Sequence, residues 1–290
     1  MKIGVLCSRI RLEEKLIFQA LRERGVDFER MDVRRVVFDL DGGDVGDHDV
    51  VLMRCVSHSQ ALYAARILGE QGVRTVNPYP VIATCGDKAL TTLALLDRGI
   101  PTPPTTIAFG QESALAAMEE MGYPVVLKPL VGSWGRLMAK LNDRQAAEAV
   151  LEHKRALSGP QDSVFYIQKY IEKPGRDIRT LVVGDETVYA IYRNSSHWIT
   201  NTARGGEAVV CPITPEVDRL SRAAARAVGG GIVAVDLLEA PDGRLLVSEV
   251  NHTPEFHGAM QAVDVDIAGK MVDYVLQQLV HWQIGRLVHW

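Results

Sequence analysis

The stretch IVAVDLLEAPDGRLLVSEVN (232–251) decides the fold and locates the chemistry. Two β-branched runs flank Asp242-Gly243, the dipeptide of a tight hairpin turn. Side chains alternate along a strand, so Glu249 and Asn251 point to one face. If the hairpin pairs the two strands, Asp236 approaches that pair. Three oxygen donors with no softer ligand among them suit a hard cation such as Mg²⁺, usually completed by substrate phosphates. The plainer alternative is two exposed carboxylates at strand ends. Asp236 weighs against it, because IVAVDLL is apolar on both sides and an unpaired buried charge is costly.

Working outward, 215–228 has helical spacing, and 178–183 and 187–192 read as strands joined by Gly184-Asp185. Further strands are expected at 105–109, 124–128, 136–141 and 165–170, with helices at 87–98, 111–121 and from 143. A closing helix is expected over 266–281. Antiparallel strands mixed with helices imply α+β architecture. The first 80 residues differ: strands at 2–7 and 49–54 alternate with helical patterns after Leu12 and over 57–71, which is α/β patterning with a parallel sheet. Asn77-Pro78-Tyr79-Pro80 interrupts that pattern and reads as the domain boundary.

The chain has 290 residues, enough for one large or two ordinary domains, and 47% are hydrophobic. A net charge of −4 gives no electrostatic case for nucleic acid as partner. No window approaches the roughly 18 apolar residues of a membrane span, and the amino terminus lacks a signal-peptide core. Cys7, Cys55, Cys85 and Cys211 are scattered with no CxxC pair, so buried thiols in a reducing cytoplasm are expected. The histidines lack zinc-enzyme spacing, and there is no GxSxG elbow.

Two lysines stand out. Lys128 ends the apolar run PVVLK, and Lys88 opens a helix; each is placed to deliver a point charge to phosphate or merely to snorkel to solvent. Between Lys128 and the next strand, Val131-Gly132-Ser133-Trp134-Gly135-Arg136 offers either an anion-binding nest or an ordinary turn. It is neither a Walker A loop nor a GxGxxG turn. The backbone of Lys169, Tyr170 and Ile171 has the character of a base-binding hinge. Arg179, Arg193 and Arg204 follow, as arginine forks for carboxylate or phosphate or as surface ion pairs. Lys169, Lys173, Arg176 and Arg179 lie within eleven residues and read as a basic surface for an acidic partner.

The order lysine, lysine with glycine-rich loop, hinge, arginines, Asp…Glu-x-Asn resembles the ATP-grasp superfamily. GDKALTTLALLDRGIPTP, YPVVLKPLVGSWGRL, YIQKYIEKPGRDIR, HWITNTARGGEA, VGGGIVAVDLLE and SEVNHTPEF resemble its RimK-type and LysX-type ligases, over nearly the whole chain. The resemblance implies an N-terminal α/β pre-ATP-grasp domain (1–84) and an ATP-grasp domain (85–290), divided into a nucleotide-binding half (85–170) and a metal-binding half (171–290). It implies a carboxylate–amine ligase using ATP and two Mg²⁺ ions.

By the same resemblance, Lys88, Lys128 and Arg179 would contact ATP. Gly132, Ser133, Trp134 and Gly135 would form a flap over the phosphates, and Lys169, Tyr170 and Ile171 the adenine hinge. Asp236, Glu249 and Asn251 would hold metal, and Arg193 and Asn201 would steady the transferring group. Arg204, Asn251, His252 and Thr253 would face the amino acid. Two departures stand out: the hinge commonly carries an acidic residue where Lys169 stands, and Pro254 follows Thr253 where relatives vary. The implied partner is a small acidic amino-group carrier protein of the LysW type. Its terminal glutamate γ-carboxylate would be coupled to α-aminoadipate, in the cytoplasm, by a homo-oligomer. Alternatives are a glutamate–carrier ligase of arginine biosynthesis (or an enzyme serving both pathways), a RimK-type protein glutamate ligase, and a non-catalytic nucleotide-binding regulator.

Overall fold

The computed structural model describes residues 2–41, 46–132, 134–157, 164–200 and 205–287. Its first unit is built on β1 (Lys2–Cys7), whose apolar residues are buried on both faces, as a central parallel strand requires. With β2 (Asp27–Asp32), β3 (Val50–Arg54) and β4 (Arg74–Val76) it forms a parallel sheet in the order β2-β1-β3-β4. Helices α1 (Leu12–Glu23) and α2 (His58–Glu70) are the crossovers. The sequence does not announce β2, because DFERMD is a largely exposed edge strand with no apolar alternation, nor β4, which has three residues.

The Pro-rich stretch at 77–80 is a helix start as well as a break. Pro80 sits in the first turn of α3 (Tyr79–Gly86), where a missing N–H costs nothing. Helix α4 (Lys88–Asp97) follows, with the Asp87 side chain accepting from Ala89 N and Leu90 N. A second sheet has the order β5-β8-β6-β7: Thr105–Ala108, Phe165–Lys169, Val125–Lys128 and Ala139–Leu141. Helices α5 (Gln111–Met121) and α6 (Arg144–Leu157) pack on it through Ala114, Met118, Ala147 and Leu151. The strand expected over 136–141 is shorter because 134–137 are turn, with Trp134 and Leu137 at positive φ.

The third sheet runs β11-β10-β9-β12-β13: Glu207–Val210, Glu186–Asn194, Arg176–Val183, Ile232–Glu239 and Leu245–Asn251. Its two faces separate the residues of β12. Val233, Val235 and Leu237 join Leu220, Ala224 and Ala225 of α7 (Pro215–Ala227) in one core. On the other face Ile232 packs into a core shared with Ile3 and Val5 of β1, Ile17 and Leu21 of α1, and Met271 and Val275 of the long helix α9 (Ile267–Leu287). A short helix, α8 (His257–Met260), precedes α9. The amino-terminal unit is thus welded to the third sheet, and Arg24 of the turn after α1 clasps Asp273 of α9 at 2.6 and 3.0 Å. All four cysteines are buried and unpaired, and no described helix is long and apolar enough to cross a membrane.

Asn77 fastens the boundary segment to the third sheet. Its Nδ2 donates to Ile232 O and His252 O, and its Oδ1 accepts from Ile232 N, all at 2.7 Å. Three partners left unpaired in a buried place should make Asn77→Ala cost about 3 kcal/mol. Urea denaturation should show that loss with an unchanged slope; a loss below about 0.5 kcal/mol would mean water replaces the amide.

Candidate active site

Directly opposed residues of an antiparallel pair point to the same side of a sheet. The register sets Ile191, Arg179, Asp236 and Glu249 in one row across β10, β9, β12 and β13. The hairpin therefore places Asp236 opposite Glu249, as the Asp-Gly turn predicts, and Asn251 follows two residues on. A bulge after Asp236, opposite Ser248, leaves this pairing intact. Arg193 and Asp177 oppose each other in the next row.

These charges neutralise one another. Arg193 donates Nε and Nη2 to Asp177 at 2.7 and 2.9 Å, and its Nη2 lies 3.1 Å from Asp236. Burial by itself would lower the Arg193 guanidinium, but Asp236 and Asp177 outweigh it and raise its pKa. Burial would likewise raise Asp177, and Arg193 and Lys173 hold it low. Arg179 Nη1 reaches the two Asp236 oxygens at 3.2 and 3.3 Å. Thr200 also donates to Asp177, and Lys173 donates to Thr200.

Both lysines face this row. Lys128, 8% exposed, donates to Gln168 Oε1 at 2.6 Å, and burial pulls its pKa down to about 8. It has not snorkelled to solvent. Lys88 Nζ donates to Gly132 O at 2.9 Å and lies 3.6 Å from Glu249 Oε1. That contact, beyond hydrogen-bond range, is the only ion pair of the Glu249 carboxylate within 4 Å among the described residues, and Glu249 also acts on the charge of Lys128. A carboxylate with open lone pairs, opposite a second carboxylate and near an amide, fits a hard cation. Among the described residues no three His, Cys, Asp or Glu converge, so a cation here would take its remaining ligands from phosphate and water.

A cleft of about 900 Å³ runs along this face. Gly132, Trp134 and Gly135 form one lip, with Trp134 held at φ 59° and its Nε1 donating to Glu255 at 3.3 Å. Lys169, Tyr170 and Ile171 also line it. Lys169 N and Tyr170 N donate to Pro104 O and Pro124 O, so among the described hydrogen bonds only the Ile171 N–H is uncommitted in this trio. His252 and Thr253 line it as well, their side chains 2.8 Å apart, and burial lowers His252 to about 4, so its ring is neutral at physiological pH. Ser133, Asn201 and Arg204 lie outside the described residues.

Among the described residues, the cations expected to form a basic surface are committed to other partners. Lys169 caps the carbonyls of Met121 and Gly122, and Lys173 pairs with Asp177. Arg176 clasps Glu239, and Arg179 pairs with Asp236. Each cation found a carboxylate or carbonyl on another element, which clustering along the chain does not reveal. Sequence reasoning also passed over Asp177 and Gln168, the anchors of Arg193 and Lys128. The spacing Asp177-x-Arg179 on one strand was the available signal for the first. A third omission is the group Ser8, Arg9, Arg11, Ser57 and His58, which also lines the cleft. These follow β1 and β3, the point where strand order reverses in a parallel sheet and ligands characteristically sit.

The chain matches the model of the RimK-like ATP-grasp domain over residues 85–275 and that of the LysX preATP-grasp domain over residues 3–84. A glutamate–LysW ligase, ArgX, of Sulfurisphaera tokodaii is 36% identical over 95% of this chain and 98% of its own length. An α-aminoadipate–LysW ligase, LysX, of the same organism is 31% identical over 97% and 99%. The crystal structure of a RimK domain ATP-grasp protein from Sphaerobacter thermophilus has a TM-score of 0.81 at 27% identity, covering 94% of this chain and 99% of that one.

Lys128 carries its charge below pH about 8 and loses it above. ATP affinity, measured by calorimetry in the absence of metal, should fall as pH rises from 7 to 9, and Lys128→Ala should abolish that slope while weakening binding about tenfold or more. Equal affinity and equal slope in the two proteins would remove Lys128 from the phosphate site.

Proposed function

Because the chain belongs to the RimK-like ATP-grasp family, and is an ATP-dependent carboxylate–amine ligase, we propose that it joins the terminal glutamate γ-carboxylate of a small acidic LysW-type carrier protein to the α-amino group of α-aminoadipate. The observation that carries the site is the register pairing of Asp236 with Glu249, facing Lys88 and Lys128 across the cleft. The carrier is taken from the names of the relatives that match over almost their full length. Glutamate as acceptor is the second reading, favoured by the 36% identity to a glutamate ligase. The cytoplasm is the proposed setting, in keeping with four free buried thiols.

The chemistry follows from the weakness of a carboxylate as an electrophile. A carboxylate oxygen of the carrier attacks the γ-phosphorus of ATP, the bond to the β-phosphate oxygen breaks, and ADP leaves. The acceptor amine then attacks the acyl carbon, the C–O bond to phosphate breaks, and inorganic phosphate departs while the amine loses its proton. Lys88, Lys128 and Arg193 neutralise phosphate charge, and Lys128 and Arg193 are buried, where fixed charges act strongly. Asp236, Glu249 and Asn251 would hold magnesium, two ions by family precedent, which supplies further neutralisation of the phosphates. Gly132, Trp134 and Gly135 at the lip of the cleft would keep water from the acyl phosphate. Lys169, Tyr170 and Ile171 would receive the adenine, with Ile171 N–H as donor.

Glu249→Gln removes a charge at nearly constant volume, so ligation should fall by about two orders of magnitude or more with the melting temperature unchanged. Turnover within tenfold of the parent would sink the metal assignment. Incubating the enzyme with ATP, magnesium, carrier and either amino acid, then weighing the carrier, should show a mass gain of one acceptor residue. A carrier of unchanged mass with both would contradict the proposal.

A further inference from the structure

Among the described residues, three side chains that line the cleft hold a buried polar atom with no hydrogen-bond partner: Arg179 Nε, Asn251 Nδ2 and Tyr189 Oη. Arg179 and Asn251 have roles in the site already described. Tyr189 has none. It is 2% exposed, and its ring belongs to the core shared by the third sheet and the amino-terminal unit, with Ile191 and Phe256. A phenylalanine would fill that core equally well. A buried hydroxyl without a partner costs about 1–3 kcal/mol, so the oxygen calls for an explanation that packing does not supply.

Its position suggests one. A bulge between Thr187 and Tyr189 re-aims the strand just before the tyrosine. Tyr189 then opposes Leu181, two residues beyond Arg179, so Tyr189 and Arg179 are diagonal neighbours on the cleft face. Glu249, with Lys88 3.6 Å from it, stands on β13 on one side of Asp236, whereas Tyr189 stands on β10, two strands away on the other side. With the nucleotide phosphates on the lysine side, the phenol's side is left for the attacking amine. The cations Arg179 and Arg193 act on the phenol more strongly than the carboxylates Asp236 and Glu13, which favours an anion there. The phenol stays protonated, since burial raises it to about 12, and is therefore a donor at every working pH.

We propose that Tyr189 Oη, with Arg179 Nε beside it, receives the side-chain carboxylate of the amino-acid acceptor, making Tyr189 the residue that selects a dicarboxylic acceptor over an apolar one. The inference rests on the acceptor reading given above. A site built to hydrogen-bond a polar group discriminates sharply against an analogue that lacks it, because its own donors are left unpaired.

The experiment compares the parent with Tyr189→Phe, using α-aminoadipate and glutamate against norleucine and norvaline, which replace the distal carboxylate by methyl. The expected result is a KM for the dicarboxylic acceptor raised about tenfold or more, with kcat, the KM for ATP and the KM for the apolar acids within about twofold. The melting temperature of the free variant should stay level or rise, since an unpaired hydroxyl has been removed. A parent that uses norleucine or norvaline as well as the dicarboxylic acids overturns the proposal, as does an equal change in KM for both classes. A lowered melting temperature shows that the hydroxyl serves the fold, and overturns it too. A parent inactive with all four acids overturns the acceptor reading itself, a result distinct from a variant that behaves like an active parent.

Discussion

Asp177, Arg193, Asp236 and Arg179 share one face of one sheet, and none can be buried without the others. Removing one partner of such a set leaves a charge with no compensation, at a cost of about 3–5 kcal/mol. The set is stable because β-pairing fixes its spacing: Asp177 opposes Arg193, and Asp236 opposes Arg179, by register alone. The proposed function would use the same constraint. Two hydrogen bonds to Asp177 hold Arg193 in place, so a phosphate arriving beside it would require no reorganisation.

The amino-terminal unit is tied into this arrangement through packing and polar contacts together. α1 and α9 share a core with that same face of β9 and β10, through Leu181, Val183, Tyr189 and Ile191. From there a chain of contacts leads to the lip of the cleft: Arg54 bonds Glu14 and Pro254 O, Arg11 bonds Glu14 and Glu255, and Glu255 accepts from Trp134. Trp134 adopts a left-handed conformation that a residue with a side chain rarely takes, at a cost of about 1–3 kcal/mol. The bond to Glu255 is one of the contacts that offsets it.

What was legible in the sequence was what a two-residue period and a turn signal determine. Asp236, Glu249 and Asn251 met on one face because DG fixed the hairpin between two apolar runs. Lys128 was legible as the polar end of a buried strand, and the ATP-grasp fold from the order of its motifs. Strand β2 was not, because an exposed edge strand carries no apolar pattern. Clustered cations suggested a docking surface, yet Arg176 and Arg179 are each claimed by a carboxylate more than fifty residues away in sequence. The unpaired oxygen of Tyr189 is a tertiary property, and nothing in VYAIYR distinguishes that tyrosine from Tyr192, whose ring lies under Arg176.

The central claim is that this sheet face activates a carboxylate by phosphorylation. Oxygen transfer tests it directly. With the donor carboxylate labelled in both oxygens with ¹⁸O, turnover should place one labelled atom in the released inorganic phosphate, alongside ADP, and leave one in the new amide. Unlabelled phosphate, or AMP and pyrophosphate as products, would contradict the account.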